Sequence, residues 1–447
     1  MSSNRKTTGV PQPPSSQDDA KSNRAANMRW LYTLGLWALL PYVFFHLLWR
    51  ARKQPEYLRH IGERFGFYSQ QTGRPVIWLH TVSVGETRAA ATLVQHLQTR
   101  YPNHQILLTH TTPTGRAASE QLYGDKVMRV YLPYDYPFAV RRFLRHFRPE
   151  IGVLLETEIW FNLIHTCKTA NIPLLLLNAR MSEKSARGYG RFASLTRNAL
   201  AELSGIAAQT EADAERLKTL GAADACVMGN LKFDIEPPAA QLQLGTALRQ
   251  HFGSGRPVFL AASTREGEEV LLLEALKQVD IPGLLSIIVP RHPQRFDDVA
   301  RLVMQNHFSL QRRSENAAIA PNTQVALGDS MGEMFAYYAA CDVAFIGGSL
   351  LPFGGQNLIE ACTVGKPVLI GPHTYNFAQA TEMAIASGAA LQVDNAGELA
   401  AQLTRLLRNP ELRAQMSEAG LAFARSNRGA TEMAVQLISG IFDRKKS

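Results

Sequence analysis

From about residue 75, short apolar runs alternate with stretches whose apolar residues recur every three to four positions. The runs VIWLHTV (76–82), QILLTHT (105–111), VMRVYLP (127–133), IGVLLE (151–156), PLLLLN (173–178) and GIAAQ (205–209) are mostly continuous rather than alternating. Continuous apolar strands joined by helical stretches such as ETRAAATLVQHLQTR predict a parallel sheet covered by helices on both faces. Two adjacent prolines in FDIEPPAAQLQ (233–243) stop the pattern and mark a linker. A second series then begins: PVFLAAS, LLSIIVP, QVALGD, CDVAFIGG, PVLIG and AALQV. The fold class is therefore α/β, with two doubly wound Rossmann-like domains. Two such domains are expected to face a cleft at the C-terminal ends of their strands, where ligands of this fold bind. The halves also open alike. PVIWLHTVSVGET and PVFLAASTREGEE each read as strand, polar loop, Gly-Glu and helix.

The pattern upstream is different. Residues 30–49, WLYTLGLWALLPYVFFHLLW, contain no Asp, Glu, Lys or Arg and are bracketed by Arg29 and by Arg50, Arg52 and Lys53. Twenty apolar residues suffice to cross a bilayer, and Trp30 and Trp49 stand where interfacial aromatics belong. The run is too long for a signal peptide, and no small-residue cleavage site follows it. A membrane anchor is expected, either spanning or lying in the interface. The heavier positive charge after it favours a main body on the cytoplasmic side. Residues 1–27 are polar, with PQPPSSQDD at their centre, and are expected to form a disordered tail. The expected organisation is a tail over 1–27, an anchor helix over 28–50, one domain over 51–235 and a second over 236–447.

Composition sharpens this picture at three points. Hydrophobic residues make up 46% of the 447, enough for large cores. The four cysteines, Cys167, Cys226, Cys341 and Cys362, form no C-x-x-C pair, so a disulfide framework and a zinc site are not expected. The net charge is +9, and the first 64 residues hold ten Lys and Arg against four acids. Such a flank suits either nucleic acid or an anionic membrane surface. The apolar run inside it selects the membrane, and no homeodomain, zinc-finger or RNP signature speaks for nucleic acid. Neither a G-x-G-x-x-G fingerprint nor a P-loop follows the first strands.

Candidate chemistry gathers where strands end. In AFIGGSLLPFGGQNLIEACTVGKPVLIGP (344–372) a strand ends at Gly347-Gly348-Ser349, and Gly354-Gly355 precede a helix that starts near Gln356 and Asn357. Paired glycines before a helix offer backbone N–H groups and a positive dipole end to a phosphate, and Glu360 one turn in can accept from ribose hydroxyls. Tight turns and a solvated helix acid explain the same residues. In HTVSVGE (80–86), Glu86 opens a helix directly after a strand. It is either an ordinary first-turn acid or a carboxylate placed for proton transfer. The helix N-terminus is expected to lower its pKa and keep it charged. Glu156 and Glu158 end IGVLLE and share a side if the strand runs through them. A salt bridge to Arg180 is the alternative.

These residues carry a family resemblance. G-G-S…G-G-x-N-x-x-E followed by G-K-P-V-L-I-G-P-H-T-Y-N-F resembles the donor site of 3-deoxy-D-manno-octulosonic acid (Kdo) transferases. HTVSVGE, LLETEIW (154–160), LNARMSEKS (177–185), GNLKFD (229–234), VPRHPQRF (289–296), GDSMGEM (328–334), GPHTYNF (371–377) and ERFGFY (63–68) resemble the family's motifs in the same order. The resemblance covers about residues 30–440. It implies the two-domain GT-B fold and an inner-membrane enzyme of lipopolysaccharide assembly, with its catalytic domains facing the cytoplasm. Such an enzyme moves Kdo from CMP-Kdo to a lipid A precursor with inversion, without a metal or other cofactor. The partners implied are CMP-Kdo, the lipid A precursor and the anionic inner-membrane surface. By this resemblance Glu86 is the general base, Glu156 shapes the reacting complex and Lys232 neutralises the phosphate or sugar carboxylate. Arg291, His292, Met331, Gly332, Glu333, Asn357, Leu358, Ile359 and Glu360 contact the donor, and Ser83, Arg180 and Ser182 fall on the acceptor side. Where the family has Gly-Gly-His-Asn-Pro, this chain has Gln356 and Leu358 in place of His and Pro. Two other readings fit parts of the pattern: another GT-B nucleotide-sugar transferase or epimerase, and a membrane-tethered protein that binds nucleotide sugars without turnover.

Overall fold

The structure, a computed structural model, describes residues 16–253 and 255–446. The chain forms two compact units, Met1–Leu231 with Gly429–Ser447, and Lys232–Arg428. The first carries seven strands: β1 (Val76–His80), β2 (Gln105–His110), β3 (Met128–Tyr131), β4 (Pro149–Leu155), β5 (Leu174–Ala179), β6 (Gly205–Ala208) and β7 (Cys226–Val227). The second carries β8 (Val258–Thr264), β9 (Leu285–Pro290), β10 (Leu310–Arg312), β11 (Val325–Leu327), β12 (Val343–Ile346), β13 (Val368–Ile370) and β14 (Ala390–Gln392). The sheet orders are β3-β2-β1-β4-β5-β6-β7 and β10-β11-β9-β8-β12-β13-β14, and every pairing is parallel. All twelve expected strands are present. The two that periodicity missed, β7 and β10, are edge strands of two and three residues, too short to show a pattern.

Continuous hydrophobicity has the expected cause. Val76 and Trp78 of β1 enter one core cluster while Ile77 and Leu79 enter the cluster on the opposite face, and the second sheet is likewise buried on both sides. In each sheet the strand order reverses beside the first strand, between β1 and β4 and between β8 and β12. Beyond the C-terminal ends of such neighbours lies the crevice that binds ligands in doubly wound folds.

Two boundaries differ from the expected ones. The first unit ends at Leu231 rather than 235, and residues 429–447 return to it instead of staying with the second. The reason is burial: on the final helix, Ala430–Lys446, the residues Ala434, Ile438, Ile441 and Phe442 complete one face of the first sheet's core. Tyr101 donates to Ser439 at 2.9 Å and stacks near Phe442 at 4.8 Å. The N-terminal helix runs Ser16–Lys53, so it takes in residues 16–27 of the expected tail; residues 1–15 lie outside the described residues. Alanines and lysine in DAKSNRAAN let a helix nucleated in the apolar segment propagate backward. Its apolar stretch, Asn27–Arg52, has a mean hydropathy of 1.6 and is long enough to cross a membrane.

Candidate active site

In the first unit the site begins where β1 stops. Ser83 caps the short helix Val84–Ala89, accepting from Glu86 N–H at 3.3 Å. The Ser83 hydroxyl donates to Glu86 Oε1 at 2.9 Å and Val82 N–H donates to Oε2 at 2.7 Å. The pattern resembles a capping box, with the carboxylate reaching the N–H one residue before the cap, and it fixes the carboxylate's direction. Glu86 is 8% exposed. Burial, then the charge of Glu156, push its pKa up to about 7, against the two hydrogen bonds, with Glu158 adding to the rise. The expected depression by the helix N-terminus does not occur: a six-residue helix is a weak dipole, and desolvation beside two carboxylates outweighs it.

Those carboxylates come from the end of β4, the strand beside β1. The strand stops at Leu155, and Glu156 adopts φ +62°, so Glu156 and Glu158 are not strand neighbours with period two as the sequence suggested. A left-handed residue other than Gly, Asn or Asp is uncommon and clusters at functional sites. Glu158 accepts from the Trp160 indole N–H and lies 4.0 Å from His80 Nε2; burial is the main cause of its raised pKa. His80 is fully buried. Its Nδ1 bonds Thr109 O at 3.0 Å, its Nε2 has no hydrogen-bond partner, and desolvation followed by the charge of His110 lowers its pKa to about 3. His80 is therefore a neutral wall of the site. Nothing in HTVSVGE marks this histidine, and only its tertiary approach to Glu158 shows its position. Ser182 caps the helix Glu183–Gly190, and Arg180 is exposed beside it.

In the second unit the candidate residues also stand at strand C-termini. The glycine loop after β12 holds the turns that were one of the two readings of its sequence. The N–H groups of Gly348, Ser349 and Leu350 are occupied by the buried carboxylate of Glu268, at 2.5, 2.9 and 3.0 Å, and Glu268 also accepts from Arg265 N–H at 2.9 Å. Gly355 and Gln356 N–H bond the carbonyls of Gly348 and Gly347 at 2.6 and 3.0 Å. The loop is thus a nest for an internal anion, and the glycines serve close backbone crossing. A Cβ on Gly347 would stand 2.6 Å from Ser263 O. Of the expected donor contacts, Leu358 and Ile359 have fully buried side chains in the core, and Ile359 N–H is taken by Asn357 Oδ1 at 3.1 Å. Apolar side chains at the start of a core-facing helix have no other place to go. Asn357 and Glu360 remain partly exposed and bond one another at 3.3 Å.

The cations gather after β8 and β9. Arg291 and His292 follow β9, with Arg265 and Arg295 close enough to act on His292 electrostatically; burial first, then Arg265 and Arg291, lowers the His292 pKa. Arg295 pairs with both oxygens of the buried Glu269, at 2.6 and 2.8 Å. Met331 is exposed, Gly332 adopts φ +80°, and Glu333 accepts from Ser330 at 2.6 Å and from Arg313 at 3.2 Å. Lys232 opens this unit and holds its ammonium 5.5 Å from the centre of Phe377, within the GPHTYNF loop. That loop is tied to the glycine loop through Asn376 N–H to Gly354 O at 3.0 Å and His373 N–H to Ser349 O at 2.9 Å. Among the described residues no three His, Cys, Asp or Glu side chains are grouped to hold a metal.

Two Rossmann-like units, one presenting a buried acid with pKa near neutrality and the other a cationic rim around glycine-bearing loops, define the GT-B class of glycosyltransferases. Residues 59–235 match the 3-deoxy-D-manno-octulosonic-acid transferase (kdotransferase) family and residues 258–423 match glycosyl transferases group 1. The chain is 43% identical over 418 residues to the 3-deoxy-D-manno-octulosonic acid transferase of Bordetella pertussis, covering 90% of this chain and 97% of that protein. It is 36% identical to that of Haemophilus influenzae, covering 93% and 99%. The chain belongs to the 3-deoxy-D-manno-octulosonic acid transferase family. Among solved structures it is similar in fold to a UDP-GlcNAc 2-epimerase from Neisseria meningitidis (TM-score 0.55, 17% identity, 82% of this chain and all of that one). A glycosyltransferase from Rickettsia africae is similar too (TM-score 0.54, 14% identity, 83% and 99%).

Proposed function

We propose that this protein is a membrane-bound Kdo transferase of lipopolysaccharide biosynthesis. It moves Kdo from CMP-Kdo to a hydroxyl of a lipid A precursor by a single inverting displacement, at the cytoplasmic face of the inner membrane. The observation that carries the reading is Glu86. Its carboxylate is rigidly aimed by Ser83 and Val82, and its pKa of about 7 suits a general base at physiological pH. Glu86 takes the proton of the acceptor hydroxyl as that oxygen attacks the anomeric carbon, and the bond to the CMP phosphate breaks with its electron pair. Glu156 and Glu158 keep the base strong by their charge. Arg291 and Lys232 balance the anionic leaving group and the sugar carboxylate, and the neutral His292 is free to donate or accept. Asn357 and Glu360, both partly exposed, take ribose hydroxyls in this reading. These roles involve no metal, and no resident cofactor is proposed.

The test gives full-length protein labelled CMP-Kdo, or UDP-sugars, with a tetra-acylated lipid A precursor. Transfer of Kdo from CMP-Kdo, unchanged by a chelator, is the expected result. Transfer from UDP-sugars alone would overturn the reading, and strong inhibition by EDTA would overturn its metal-free mechanism.

A further inference from the structure

The N-terminal helix carries a second pattern along its apolar stretch. Met28, Tyr32, Thr33, Leu36, Leu40, Val43, Leu47 and Ala51 are partly or fully buried, a stripe at helical spacing that runs its whole length. This stripe packs on the helices Phe161–Thr169 and Ala193–Glu202 and, at the other end, on the turn Pro55–Leu58. Several of the contacts in the first half are polar. Tyr32 donates to the buried Asp135 at 2.9 Å, Thr33 to Asn162 at 3.1 Å, and the Tyr136 hydroxyl to Leu36 O at 2.7 Å. The opposite face is exposed and apolar, with Trp30 63%, Trp37 47%, Tyr42 65% and Phe45 71% accessible. Aromatic contacts extend this face onto the domain: Trp37 meets Phe138 at 5.7 Å, and Arg142 lies over Phe138 and Phe67 at 5.3 and 4.3 Å. Exposed Arg50, Arg52, Arg141 and Arg145 border it.

From this geometry we infer that the helix is an in-plane anchor: its outer face, with Phe67 and the bordering arginines, inserts into one leaflet of an anionic bilayer, and the chain does not cross. A spanning helix puts its two ends on opposite sides of some 30 Å of hydrocarbon. The first unit holds the first half of this helix through Asp135, Asn162 and Tyr136, and the second half runs straight into the turn Pro55–Leu58 of the same unit, so spanning would carry Asp135, Asn162 and the arginine-bearing helix Pro137–Phe147 into the membrane. Charged side chains there are strongly disfavoured. A helix with one face on protein and the other apolar, flanked by arginines, fits the interface, where anionic headgroups meet the cations and acyl chains the aromatics.

The inference rests on the membrane reading above, and two measurements on full-length protein separate the two. In sealed inverted inner-membrane vesicles, protease is expected to remove an N-terminal epitope tag without detergent; a tag protected until detergent is added means that the helix spans and overturns the inference. Single-tryptophan variants retaining Trp30 or Trp37, in phosphatidylglycerol–phosphatidylethanolamine vesicles with brominated acyl chains, are expected to report equal, shallow depths. Trp37 lying about 10 Å deeper than Trp30, as seven residues of a crossing helix require, has the same overturning meaning. An accessible tag with neither tryptophan quenched assigns the apolar face to a protein partner and also refutes the inference. Protein found only in the soluble fraction defeats the membrane reading itself.

Discussion

At the scale of single residues, the proposed reaction depends on how Glu86 holds its proton. Glu86→Gln keeps the shape and the bond to Val82 but removes the base, and transfer is expected to fall about 10²- to 10⁴-fold while CMP binding is retained. Near-normal turnover in that variant would refute the assignment. The base must be ionised, so kcat/KM is expected to rise with pH through about 7. Glu156→Gln removes the neighbouring charge that helps raise this pKa and should move the acidic limb to lower pH; a limb that stays in place would show that burial alone sets it. The same shift acts on stability. Folded Glu86 binds its proton more tightly than the unfolded chain, so its contribution turns unfavourable as pH rises from about 4.5 to about 7, by about 3 kcal/mol at most. The thermal midpoint of Glu86→Gln relative to the parent should therefore increase across that window. The position of Glu86 at a strand end was legible in HTVSVGE. Its raised pKa was not, because the burial that chiefly causes it, and the carboxylates beyond the end of β4 that add to it, come together only on folding.

At the scale of elements, the two halves show how one local signature reaches two ends. Gly85-Glu86 and Gly267-Glu268 both follow the first strand of a sheet and fall at the start of a helix. Glu86 closes on its own turn, whereas Glu268 reaches across to three consecutive N–H groups after β12. The likeness in sequence was visible; which carboxylate is committed to the backbone was not, because that depends on β8 and β12 being neighbours. Of the glycines in that segment, Gly348 is held by this internal acid, and Gly355 gives its N–H to the Gly348 carbonyl. Glu268→Ala leaves those buried donors unpaired, at a cost of about 1–3 kcal/mol. The expected result is a lower melting temperature and weaker CMP binding together, with the Glu86 pH limb unmoved. A variant as stable as the parent, with binding intact, would show that the nest is not needed. Periodicity identified every long strand for a simple reason: a strand buried on both faces must be apolar throughout. The two-residue β7 and three-residue β10 need no such run and left no trace.

At the scale of the whole molecule, the two prolines of the stretch near 233–243 stood within a few residues of the change of unit, because adjacent prolines stop regular structure. Nothing comparable marks the return at 429. The final helix resembles any other amphipathic helix, and its partner is chosen by the open face of the first sheet. Truncation after Arg428 removes residues adjacent in sequence to the second unit but strips Ile438, Ile441 and Phe442 from the first unit's core. Hydrogen exchange is expected to show lost protection in residues 76–231 and little change in 232–428. The reverse result would mean that the helix belongs where sequence order places it. This return also sets an order of events during synthesis. The second unit is one uninterrupted segment and can fold as soon as it leaves the ribosome, whereas the first, begun earlier with the N-terminal apolar helix, waits for the helix Ala430–Lys446. The unit that holds the proposed base is thus completed after the second one, so a chain terminated before residue 429 would carry a complete second unit and an unfinished first one.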